Sequence, residues 1–189
     1  MKCTSLLSII VALSIPFATA AEKPAVKISV PQGKTVSVSI PETWKQEPAV
    51  PPEGIPPEMV PPTVKMVSPT GGTSLLISFL PGLNDNLGTR EAVDIAATMA
   101  NMQYVGGSVE KKTTLVQIKS KTVRGSFAAY TDADLVGVEK LPPGQFRHVA
   151  AGVVVMGRQV ATFTILCNDL KSPEYTEALS VIADGMTAQ

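Results

Sequence analysis

Residues 145–169 constrain the fold more than any other stretch of the chain. Two runs rich in β-branched and aromatic residues, 145–156 and 159–169, flank a tight Gly157-Arg158 connection, the pattern of a long β-hairpin. The first run is apolar on both faces: Ala150, Gly152 and Val154 alternate with Ala151, Val153 and Val155. An antiparallel strand with one wet face alternates apolar with polar residues, so this strand requires cover above and below. Two segments can supply it. Thr89 is placed to cap a helix from Arg90 to about Gln103, with Val93, Ala96, Ala97, Ala100 and Tyr104 at helical spacing and Met99 and Met102 expected as gap-fillers in the core. Ser172-Pro173-Glu174 opens a second helix, with Tyr175, Ala178, Leu179, Ile182 and Met186 as its apolar stripe and Gly185 as its stop.

Other strands follow from alternation. Val26, Ile28 and Val30 pair as a hairpin with Val36, Val38 and Ile40 across Pro31-Gln32-Gly33. Residues 64–68 and 74–80 make a second hairpin around Pro69-Thr70-Gly71-Gly72, with Leu75, Ile77 and Phe79 on one face. Residues 115–119 read as a strand near an edge, with Val116 and Ile118 alternating with Gln117 and Lys119, and residues 123–129 as another. The expected fold class is α/β (α+β): a central, mostly antiparallel sheet covered by helices on both faces, an α/β/α sandwich.

Residues 1–20 have the form of a signal peptide, with Lys2 as positive region, an apolar run too short to span a bilayer, and Ala18-Thr19-Ala20 as cleavage pattern. The expectation is an exported protein, periplasmic or extracellular after cleavage, with residues 21–189 as a single globular domain. Only Lys2 among residues 1–20 is charged, so the processed chain carries 15 basic against 16 acidic residues, a net charge of 15 − 16 = −1. That near-neutral balance leaves no electrostatic footprint for nucleic acid. Cys167 becomes the only cysteine, in an apolar row with Ala161, Phe163 and Ile165, and reads as a buried small hydrophobe.

Candidate sites are few. Residues 48–63 form a proline-rich loop with a five-residue repeat, in which Pro51, Pro52, Pro56, Pro57, Pro61 and Pro62 recur as pairs. Dense proline imposes polyproline II, where a five-residue period spreads the pairs around the axis. A stiff connection shielding a sheet edge is preferred over a partner contact at these prolines. Asn84, Asp85 and Asn86, and Asp132 with Asp134, offer oxygen ligands, but neither group has a calcium loop's spacing, and turn readings are preferred. Glu110-Lys111-Lys112 reads as a solvated turn. Trp44, directly after a strand, reads as a core plug. His148 is the sole histidine and stands beside Arg147, with the two side chains expected on opposite faces and in structural roles. With no nucleophile elbow, zinc spacing or phosphate loop, no catalytic, metal or cofactor-binding residue is assigned.

A strand ending in Ile40-Pro41-Glu42-Thr43-Trp44, then a hairpin, a helix at Arg90, a long antiparallel run and a last helix opening Ser172-Pro173-Glu174, resembles the PsbP-like α/β/α sandwich family. The family includes the extrinsic P protein of photosystem II, a Ran-binding nuclear import factor and exported bacterial proteins of the DcrB type. The proline-rich 48–62 segment departs from its pattern. The resemblance implies a non-enzymatic accessory protein of the cell envelope, acting through a protein partner. The alternative is a periplasmic module binding a small ligand or divalent metal through residues 84–86 and 132–134.

Overall fold

The computed structural model describes residues 24–30, 34–50, 54, 56, 59–81 and 87–188. The elements run β1 (Ala25–Val30), β2 (Lys34–Ser39), β3 (Lys45–Glu47), β4 (Thr63–Val67), β5 (Thr73–Leu80), α1 (Arg90–Val105), β6 (Val116–Gln117) and β7 (Arg124–Thr131). A 3-10 turn (Ala133–Leu135) precedes β8 (His148–Met156), β9 (Gln159–Cys167), α2 (Pro173–Asp184) and β10 (Met186–Ala188). The strands form two antiparallel sheets, so the fold is α+β. The larger has the order β3-β4-β5-β9-β8-β7-β6 and the smaller β1-β2-β10.

The β8–β9 hairpin lies near the middle of the larger sheet, where its two-sided apolarity is used. Val153 and Val155 join one buried cluster with Val93 and Ala97 of α1, while Ala150 and Val154 join another with Ala178 and Ile182 of α2. Gly152 sits between these positions and pairs with Phe127 on β7 and Phe163 on β9. Because it carries no side chain, the two flanking phenyl rings meet across the strand, with centroids 6.1 Å apart.

Both helices start as their sequences direct. The Thr89 hydroxyl accepts from the Ala92 amide at 3.2 Å, and Ser172 caps α2 by accepting from Tyr175 N–H at 3.1 Å. Asn101 fastens α1 to the sheet. Fully buried, it donates through Nδ2 to the Ala97 carbonyl at 2.7 Å and to the Ala151 carbonyl of β8 at 2.9 Å. Trp44 is buried beside α2 and donates through its indole N–H to Glu177 at 2.9 Å, as befits a core plug.

Several expectations are corrected. The first hairpin does not extend a single sheet but forms a second one with β10, whose Met186 pairs with Val38. Met186 therefore leaves the helical stripe, and Val181 takes its place in the buried face of α2. Met99 and Met102 are not core residues: each is 67% exposed, because the α1 face that meets the sheet is set by Val93, Ala97 and Asn101. Only two residues of the expected edge strand pair, and Val116 is exposed. The Pro31-Gln32-Gly33 turn lies outside the described residues.

Candidate functional site

A cavity of about 360 Å³ opens where the C-terminal end of α1, the end of β7, the 3-10 turn and the start of β8 converge. Pairing of Thr131 with His148 brings the last residue of β7 beside the first of β8. A chain of hydrogen bonds stands at this point. Glu110 accepts from both the amide and the hydroxyl of Thr131 at 2.9 Å, and the Thr131 hydroxyl oxygen lies 3.1 Å from His148 Nδ1. A carboxylate only accepts, so the Thr131 hydroxyl proton points to Glu110 and Nδ1 must be the donor to Thr131. The neutral imidazole is thereby held with its proton on Nδ1, leaving Nε2 as a bare acceptor on a residue that lines the cavity.

The electrostatics agree with that assignment. Burial pushes His148 below its ordinary value, outweighing the pull of Glu110 and Asp169, and the ring is neutral at neutral pH. Burial opposes ionisation of Glu110, but the Thr131 amide, its own backbone amide and the Thr131 hydroxyl overcome it and hold the carboxyl below its ordinary value, with a smaller pull from His148 once that ring is protonated. The half-buried Tyr104 packs on the buried Tyr130 with centroids 5.8 Å apart, and Tyr130 is pinned by a 2.9 Å hydrogen bond between its hydroxyl and Thr113.

Arg147 and His148 both line this cavity. Side-chain alternation holds only within a strand, and β8 begins at His148, so Arg147 belongs to the preceding loop. Its guanidinium donates to the carbonyls of Val138 and Glu139, bracing that loop. Asp132 and Asp134 also line the cavity. One Asp132 oxygen accepts from the Asp134 amide at 2.9 Å, an Asx turn as the sequence suggested. The Asp134 carboxylate makes no hydrogen bond or ion pair among the described residues. No group of three or more His, Cys, Asp or Glu suited to a metal ion occurs among those residues. Glu110, read from sequence as part of a solvated turn, is exposed in a bend and in addition anchors Thr131 and, through it, His148. Its partner lies 21 residues away on another element, and no local signal marks it.

Pro51, Pro52, Pro57 and the Asn84, Asp85 and Asn86 loop lie outside the described residues. Pro56 is exposed, and Pro61 and Pro62 are half-buried where the chain enters β4. The Phe79 amide bonds to the Pro62 carbonyl at 2.9 Å, so this last pair prolongs the β4–β5 ladder. Val50, just before the repeat, and Met59, between its second and third proline pairs, are 85% and 72% exposed.

A second surface lies on α1. Ile95, Met99 and Met102 are all exposed and fall within roughly 60° of one another around the helix, opposite Val93 and Ala97. Cys167 is buried, and desolvation pushes its thiol up to about 12, which removes it as a nucleophile. Among the described residues no helix is long and apolar enough to cross a membrane.

What the fold and site define is an α+β protein with an acid-rimmed cavity and an apolar helix face. Neither a scan against protein-family models nor a search of curated proteins finds a match for the chain.

Proposed function

We propose that this chain is an exported, non-enzymatic accessory protein of the cell envelope, built as a PsbP-like α/β/α sandwich, and that it acts by contacting another protein. The observation that carries this function is the stripe of Ile95, Met99 and Met102 on the outer face of α1. Three large apolar side chains aligned on an exposed helix face are costly to leave in water and suit a partner surface. Methionine, flexible and polarizable, adapts to such a surface. The clusters that join α1 to Val153 and Val155, and α2 to Ala150 and Val154, support a helix layer on each face of the larger sheet. The order of elements and the Pro-x-x-Trp step after β2 support the family, and the signal-peptide pattern supports export. In this reading the proline pairs, with exposed Val50 before them and Met59 among them, provide a second contact.

A photocrosslinker placed at Met99 in cells, followed by mass spectrometry of the exported fraction, tests the proposal. One dominant envelope protein is expected, and its crosslink from position 99 is lost when Ile95→Glu and Met102→Glu are added, while thermal stability is unchanged. Crosslinks to background proteins alone, indistinguishable between parent and variant, overturn it. A second crosslinker at Met59 reports whether the proline-rich segment joins the contact.

A further inference from the structure

The cavity beside His148 has no part in the protein contact just described, and its chemistry specifies a ligand of its own. We propose that it binds a small organic amine: a protonated nitrogen carried on an apolar or aromatic body.

Four features converge. The cavity, at about 360 Å³, admits a molecule of one ring and a short chain. The Glu110–Thr131–His148 chain dictates the tautomer, so His148 presents Nε2 as an acceptor, and an acceptor selects a ligand that donates N–H or O–H. The charge on the wall is predominantly negative. Asp132 and Asp134 line it, with Glu110 one residue behind, against the single guanidinium of Arg147. That guanidinium is committed through Nη2 to two loop carbonyls, and its Nε is buried without a partner, so it offers a ligand little. Among the described residues the Asp134 carboxylate has no partner, and one Asp132 oxygen holds only the turn. Finally, the half-buried Tyr104, backed by the buried Tyr130, provides aromatic surface on which a ring or a cation can rest. The two exposed aspartates alone would be a solvated turn; the open cavity they rim and the oriented acceptor beside them make them a site. An anion would meet the aspartates, and a neutral polyol would leave them without a counter-charge.

Tyramine, tyrosol and 4-hydroxyphenylacetate share one aromatic body and carry, respectively, a cation, a neutral hydroxyl and an anion. Each is titrated into the purified protein at pH 7.5, with calorimetry for affinity and backbone amide shifts for location. Tyramine is expected to bind about tenfold more tightly than tyrosol, with 4-hydroxyphenylacetate weaker still, and to shift the amides of Thr131 and His148. Asp134→Asn, a surface change that leaves folding intact, lowers tyramine affinity about tenfold and leaves tyrosol unaffected. His148→Phe removes the acceptor and lowers affinity, whereas His148→Gln, which keeps one, restores part of it. Tyramine affinity also falls as His148 takes up a proton, because Nε2 then becomes a donor facing an ammonium. Burial is the largest influence on this titration and opposes the proton, Glu110 and Asp169 favour it, and Arg147 opposes it. Equal binding of the three compounds, tightest binding of the anion, or no binding by the folded protein at about 10 mM tyramine each overturns the proposal.

Discussion

Replacing Gly152 with alanine puts one methyl group where the structure has least room for it. A β-carbon at this position would lie 2.4 Å from the Ser126 carbonyl oxygen, 2.6 Å from Phe127 Cβ and 2.9 Å from Phe127 Cα. All three belong to the backbone or root of β7, which cannot rotate away. The strand can move only by opening the β7–β8 ladder, which eight residue pairs close from Arg124↔Val155 to Thr131↔His148. Overpacking a close-packed interior costs about 1–3 kcal/mol, and rigid contacts this short put the change at the upper end, about 3 kcal/mol. Against a total stability of about 5–15 kcal/mol that is a large fraction. For a domain of this size it lowers Tm by roughly 6–12 °C. Gly106→Ala is the matched control. Gly106 has helical backbone angles, φ −62° and ψ −42°, and an added β-carbon meets nothing within 4 Å. Restricting the unfolded chain there should stabilise by about 0.4–1 kcal/mol. Urea denaturation of the two variants beside the parent decides the matter. A loss below about 1 kcal/mol for Gly152→Ala would refute the claim that the two phenyl rings and the β7 backbone close over this glycine.

Three further outcomes follow from the same geometry. Asn101→Ala removes both bonds that tie α1 to itself and to β8, and should cost about 1–3 kcal/mol in denaturant unfolding with the helix content by circular dichroism retained. His148 has a folded-state value below its ordinary 6.5, so above that pH neither folded nor unfolded protein carries its proton and the residue contributes no pH dependence. As pH falls below 6.5 the unfolded chain takes the proton first, and stability declines until the folded value is passed. His148→Gln should flatten that part of the stability–pH curve, and an unchanged curve would assign the decline to other groups. Cys167, with its thiol pushed up to about 12, should resist a thiol reagent at pH 8 in the native protein and react fully in denaturant, as read by peptide mass spectrometry.

The candidate site was legible only in fragments. Asp132, Asp134, Arg147 and His148 were each visible as polar residues in or beside turns, but their meeting at one cavity depends on the register of β7 against β8, which pairs residues 17 apart in sequence. The roles of Glu110 and Thr131 were invisible for the same reason. Helix periodicity identified α1 but not which of its apolar residues faces inward. Ala96, Met99 and Met102 are all compatible with one broad stripe, and the sheet beneath selects the side bearing Val93, Ala97 and Asn101.

What the sequence by itself determined is local: the long hairpin with two apolar faces, the Thr89 and Ser172 caps, the alternation of the early strands, and the burial of Cys167. Each depends on side-chain period or on bonds spanning three residues or fewer, and these act before any distant segment is in place. Only the tertiary structure decided that Met186 leaves the helix to pair with Val38, that Met99 and Met102 face outward, and that Glu110 orients His148 through Thr131. Those outcomes depend on which distant elements pair and in what register, and pairing is settled by the simultaneous burial of many residues along both partners.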